Sequence, residues 1–204
     1  MTKIVVDTLD KKKKLLKVKK DENLTYVLVS TDGDGQKDVE IGLNGQGANV
    51  QILGIIIGNH GQAKIHTLQH HTAPDTQSDL LIKSVMFGTS SLSYDGLIKI
   101  DPGAQRSNAY QRNENLLMSD KAAVATRPEL EIEANDVRCT HGATIGKIDE
   151  EVLFYVMSRG IERDEAERLV IEGFFEPVLK RIDDEKISQK LRLKIQSELG
   201  KKEY

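Results

Sequence analysis

The chain has 204 residues, 38% hydrophobic and 30% charged, with a formal net charge of −3. This suits one globular domain, or a domain with an appendage. The weak negative charge gives no case for nucleic acid or an anionic membrane as partner, and no apolar run approaches the ~20 residues that span a bilayer. The single cysteine excludes an internal disulfide. The opening Met1-Thr-Lys-Ile-Val-Val-Asp lacks the apolar core of a signal peptide, so the cytoplasm is the expected location.

In chain order, the first feature is Lys11–Lys20, which carries seven lysines. In an acidic chain this reads as a solvated or edge-protecting face rather than a phosphate clamp. Short Val/Ile/Leu/Thr runs then alternate with Gly, Asn and Asp: Leu24–Val29, Val39–Leu43, Val50–Ile57, Ala63–Gln69, Leu80–Met86, Ser91–Ile100 and Glu129–Ala134. Their lengths and punctuation predict strands. Their spacing of about a dozen residues fits either a sandwich or the coils of a β-helix. Asp101-Pro-Gly-Ala-Gln105 reads as a tight turn, with Pro102 fixing φ and Gly103 supplying a positive φ.

The period changes near Asp149, dividing the chain into a strand-rich region, 1–148, and a helical region, 149–204. Asp149 is a good N-cap, with Glu150 and Glu151 in the first turn. Gly160 fits the left-handed position after that helix. A second helix is expected over Arg163–Ile182, kinked or split at Pro177. A third is expected over Glu185–Leu199, with Ile187, Leu191, Ile195 and Leu199 on one face.

Two groups of residues carry candidate chemistry. Cys139 and His141 are two apart, so a strand would present both on one face. Thiol and imidazole are both good ligands for soft or borderline metals. His66, His70 and His71 form the second group; His66 and His70 would share a strand face and His71 would take the other. Polar side chains stacked between coils explain that group more simply than a metal site. His60, beside Gly61, reads as a turn residue.

The blocks His70-His71-Thr-Ala-Pro-Asp-Thr-Gln-Ser, Gly96-Leu-Ile-Lys-Ile-Asp-Pro-Gly-Ala-Gln, Ala109-Tyr-Gln-Arg-Asn-Glu-Asn-Leu-Leu-Met-Ser-Asp and Asn135–Gly160 resemble, in order and spacing, the C-terminal core of the SufB/SufD family of iron–sulfur cluster assembly scaffolds. The resemblance spans roughly Gly45 to Ile182. It implies a right-handed parallel β-helix with a C-terminal helical cap, shortened on the N-terminal side relative to full-length members. It also implies that His141 and Cys139 ligate a transient iron–sulfur cluster at a protomer interface. The second protomer would be a SufB-like protein or another copy of the chain. The helices would dock a SufC-like ABC-type ATPase. Phe154, Tyr155, Phe174 and Phe175 are four of only nine aromatics and are candidate partner contacts.

Two departures point to the SufD-like branch. No cysteine lies between Arg112 and Asn115, where SufB-like members carry a sulfur-accepting one; Asn113 stands near that position. Gly142 follows the matching histidine where SufB-like members have glutamate. The chain lacks a Gly-x-x-x-x-Gly-Lys-Ser/Thr motif, so it is expected to bind no nucleotide and to be non-catalytic. Two alternatives stay open: a β-helix polysaccharide-acting enzyme using Asp75, Asp79, Asp95 and Asp101, or a purely structural dimerisation subunit.

Overall fold

A computed structural model describes residues 2–201; residues 202–204 of the expected helical region lie outside it. Eleven strands are followed by three helices: β1 Lys3–Asp7, β2 Lys13–Val18, β3 Asn23–Ser30, β4 Gly35–Leu43, β5 Asn49–Gly58, β6 Gln62–His71, β7 Gln77–Met86, β8 Ser91–Ile100, β9 Asn108–Leu117, β10 Ala123–Ile132, β11 Arg138–Gly146, α1 Glu150–Met157, α2 Arg163–Leu179 and α3 Glu185–Leu199. Odd-numbered strands form one parallel sheet, in the order β1-β3-β5-β7-β9-β11. Even-numbered strands form the other, in the order β10-β8-β6-β4-β2. Each strand therefore pairs with the one two places along, and the chain winds as a parallel β-solenoid of about five turns, at roughly 30 residues per coil. The parallel β-helix followed by C-terminal helices is the fold expected from the sequence.

Two apolar layers hold the fold. The lumen between the sheets is filled by Leu24, Tyr26, Leu28, Ile41, Val50, Ile52, Ile56, Leu80 and Ile82, among others. The second layer lies outside the odd-strand sheet. There Val27, Val29, Leu53, Ile55, Leu81 and Val85 pack against Ile171, Phe175, Val178, Leu191 and Ile195 of α2 and α3. The helices thus cover a flank of the solenoid and leave its C-terminal end open, whereas the expected cap would have closed it.

The sequence patterns follow from this arrangement. β3, β5 and β7 are buried on both faces; β3 and β5 read as nearly continuous apolar runs, whereas β7 carries the buried Lys83 and Ser84 between Leu80–Ile82 and Val85–Met86. β6 and β8 alternate, since their outer face meets solvent.

Several expectations are corrected. β1 and β9 were not expected as strands, and the lysine-rich stretch contains β2, the edge strand of the even-numbered sheet. The run Glu129–Ala134 overlaps only the end of β10. Pro177 does not split α2, which runs unbroken to Leu179. Pro177 has no N–H for the carbonyl of Gly173, and Gly173 is exposed, so water can take that bond. Gly103 does not adopt positive φ. The turn closes with the Ala104 N–H donating to the Asp101 carbonyl, and Arg106 takes the left-handed conformation at φ 60°. At the opposite corner Gly33 has φ 66°, and a Cβ there would lie 2.3 Å from the Cα of Gly58 in the next coil, so stacking of these turns requires glycine.

The helix ends match the sequence signals. Asp149 accepts from the Glu151 N–H at 2.8 Å, Gly160 has φ 83°, and Asp184 caps α3 through the Ile187 N–H.

Candidate functional site at the open end of the solenoid

Among the described residues β11 pairs only with β9, and no strand lies beyond it. Its register places Cys139, His141, Ala143 and Ile145 beside Ala109, Gln111, Asn113 and Asn115. Those four β9 residues are buried in the lumen, so their β11 partners share the lumen-facing side. Among the described residues no further coil closes over them. Ile145 is 47% exposed and His141 is exposed, while Cys139 is half-buried against Ile98, Ile100 and Ala109. Across the mouth, Leu130 and Ile132 of β10 stand in register with the buried Ile98 and Ile100 and are themselves 37% and 41% exposed. The open end is therefore an apolar rim around an imidazole and a thiol. The His141 imidazole makes no hydrogen bond among the described residues.

Burial pushes the Cys139 thiol up to about 11, so it is protonated at neutral pH. Alkylation of Cys139 by iodoacetamide should therefore keep accelerating between about pH 9 and pH 11, where an ordinary thiol has levelled off. A rate that plateaus near pH 9 would contradict this burial. Two side chains do not complete a four-coordinate site, and no group of three or more His, Cys, Asp or Glu is arranged to hold a metal among the described residues.

Beneath the mouth the lumen turns polar. The Asn113 amide donates to the Ile82 carbonyl at 3.2 Å. The Asn115 amide donates to Asn113 Oδ1 at 2.7 Å and to the Thr144 carbonyl at 2.9 Å. Ser84 donates to Asn115 Oδ1 at 2.6 Å. Asn113 is thus a buried member of a satisfied network that ties β11 to β9. Gly142 lies on the outer face, and a Cβ there would meet nothing within 4 Å.

The other candidates are held in structural roles. His71 is fully buried between the hydroxyls of Thr76, at 2.7 Å, and Ser78, at 2.9 Å; burial lowers its pKa to about 4, so it is neutral. His70 Nε2 contacts Asp101 at 2.9 Å across coils, and His66 is exposed on the same outer face. His60 occupies the β5–β6 turn. The four acids of the polysaccharide-enzyme alternative are all paired: Asp75 with Arg106, Asp79 with Arg181, Asp95 with Arg127, and Asp101 with His70. They form no free carboxylate cluster.

The four aromatics separate. Phe154 is 75% and Tyr155 60% exposed on α1, with Arg159 bonded to the Tyr155 hydroxyl. Phe174 is half-buried, with Lys83 Nζ 4.2 Å from its ring centre. Phe175 is fully buried and packs α2 onto the sheet, which corrects its reading as a surface contact.

Sequence reasoning missed the apolar rim. Alternate apolar residues at strand ends were its only signal, and they look the same in a covered coil. The amides at 111, 113 and 115 carried a period-two signal that apolar patterning passes over.

A family model for the SufBD core domain of SUF-system FeS cluster assembly matches residues 6–174. The chain belongs to the SufBD family. Relatives of this family member include the iron-sulfur cluster assembly protein SufD of Bacillus subtilis (strain 168), 33% identical over 174 residues, which cover 84% of this chain and 40% of that protein. SufD of Escherichia coli (strain K12) is 32% identical over 154 residues, 75% of this chain and 36% of that protein. A SufBD family protein of Mycobacterium bovis is 31% identical over 193 residues, 90% of this chain and 49% of that protein. The chain thus spans less than half the length of these curated relatives. No helix of this SufBD family member, among the described residues, is long and apolar enough to cross a membrane.

Proposed function

We propose that the chain is a non-catalytic, cytoplasmic scaffold unit of SUF-type iron–sulfur cluster assembly. The observation that carries this reading is the open last coil, where exposed His141 and half-buried Cys139 share one strand face inside an apolar rim. The rim and the unpaired edges of β10 and β11 suit a second protomer, either SufB-like or another copy. That protomer would complete the ligand set around the cluster, which is cargo here. The His141 imidazole offers a nitrogen lone pair without rearrangement. Cys139 must give up its proton to bind metal, and a cation beside it favours that loss.

A SufC-like ATPase would dock on the helical region. The exposed Phe154 and Tyr155 of α1 are the candidate anchors, and Phe174 and Phe175 support the docking surface from beneath. ATP-driven closure of that ATPase would shift the helices and open the protomer interface.

Anaerobic reconstitution of the purified complex with iron and sulfide tests the ligand assignment. His141→Ala should remove most of the cluster absorbance, by about tenfold or more, while leaving the fold unchanged by circular dichroism. Unchanged cluster yield would show that His141 is not a ligand. Chromatography with light scattering, with and without the SufC-type ATPase, tests the partner assignment separately.

A further inference from the structure

The outward faces of α2 and α3 carry opposite charge. On α3, Lys186, Lys190 and Lys194 stand four residues apart, all exposed, with Leu193 57% exposed among them. None of the three makes an ion pair among the described residues, whereas the nearby Arg181, Arg192 and Lys201 all do. Like charges at this spacing repel one another and weaken the helix. Lys186, in the first turn, also opposes the helix dipole. On α2 the exposed stripe is acidic: Glu162 at the N-cap and Glu165, with Leu169 45% exposed one turn further on and the half-buried Glu172 beyond it. Glu162 and Glu165 make no ion pair among the described residues.

Leu169 and Leu193 each stand two residues before a buried isoleucine, Ile171 or Ile195, about 200° around the helix. Both stripes therefore face away from the sheet. The Arg192–Glu176 ion pair and the Gln196–Glu172 hydrogen bond, at 3.0 Å, hold the two helices side by side.

We infer that this face is an isologous interface between two copies of the chain, with the basic stripe of α3 in each copy lying along the acidic stripe of α2 in the other. A two-fold axis makes both contacts at once, since each copy carries both stripes. The exposed leucines form the apolar centre, and the charges form a rim that fixes register. The arrangement also accounts for the local cost of three self-repelling lysines beside an exposed leucine. It uses neither α1 nor the open end of the solenoid. A two-fold contact here leaves that end free for a further protomer, SufB-like or another copy.

Sedimentation velocity on the full chain tests the interface. The dimer should form at low salt, and its dissociation constant should rise at least about tenfold between about 50 mM and about 500 mM NaCl. Lys186→Glu/Lys190→Glu/Lys194→Glu should be monomeric, and so should Glu162→Lys/Glu165→Lys. Mixing the two variants should restore a dimer, because every α2–α3 contact in the mixed pair is again between opposite charges. That restoration cannot arise from misfolding of either variant. A monomeric wild-type chain, a dimer that survives in either variant alone, or a mixture that stays monomeric would each overturn the proposal. A surviving dimer would place the contact elsewhere, such as the open end, and would leave the scaffold reading untouched.

Discussion

Replacing Lys37 with methionine should destabilise the chain by about 3–5 kcal/mol at neutral pH, the usual consequence of removing one partner from a buried ion pair. Lys37 points into the lumen from β4 and is 1% exposed. Its ammonium lies 3.0 Å from Asp7 and 2.7 Å from Asp10, and the Tyr26 hydroxyl donates to Asp7 at 3.0 Å. Without the lysine, Asp7 would keep its charge in a site where its side chain is only 13% exposed. Asp10 is 38% exposed, so solvent screens its share.

Burial works to raise the Asp7 pKa, but the hydrogen bond from Lys37 outweighs it with help from Thr8 and Tyr26, and the carboxyl ends below its ordinary value. Lys37 lowers Asp10 as well. A lowered folded-state pKa gives stability that is present above the unfolded value, near 3.8, and is lost as pH falls through the folded one. The wild type should lose this contribution in acid while the variant has none to lose. Urea titrations should therefore show a large gap at about pH 7 that narrows below about pH 3. A gap under about 1 kcal/mol at neutral pH would mean that the cluster is solvated rather than buried.

Phe175→Ala should cost about 3–5 kcal/mol, the range for emptying a buried phenylalanine site. Phe175 is 0% exposed and sits among the β3, β5 and β7 side chains that α2 covers. Its ring meets Phe174 edge-on at 5.5 Å. The loss should appear as a lower denaturation midpoint, because the helix–sheet layer is continuous with strands whose other face lines the lumen. Phe154→Ala is the control. With its side chain 75% exposed, it should change stability by no more than about 0.5 kcal/mol, while weakening any partner docked on α1. Equal losses from the two substitutions would show that α2 is not seated on the sheet as described.

The elements differ in how legible they were, for identifiable reasons. The helix boundaries depend on nearby residues: Asp149, Gly160 and Asp184 each set a local backbone state by hydrogen bonding or by tolerance of positive φ. β5 announces itself through the apolar run Ile52–Ile57, broken only by Gly54, and β7 through Leu80–Ile82 and Val85–Met86 on either side of Lys83 and Ser84. β9 was missed because its lumen-facing positions are Ala109, Gln111, Asn113 and Asn115, so its alternation runs through amides. β2 was hidden by its lysines, which suit an edge strand whose outer face meets water.

The candidate site was legible as a pair, since Cys139 and His141 share a face in any extended strand. Their contrast in exposure was not. It arises because Cys139 packs on Ile98, Ile100 and Ala109 from earlier coils, while no described residue covers His141.

By itself, then, the sequence determined the local conformations, the change from strand to helix near Asp149, and the family, through ordered blocks of residues. These rest on short-range sterics and patterning. The tertiary structure alone decided that the helices lie on the flank of the odd-numbered sheet, that the last coil stays open around His141, and that the α2 and α3 stripes face outward together. Those outcomes depend on parallel register between residues about 30 positions apart, where packing across coils, and no local preference, selects the neighbour.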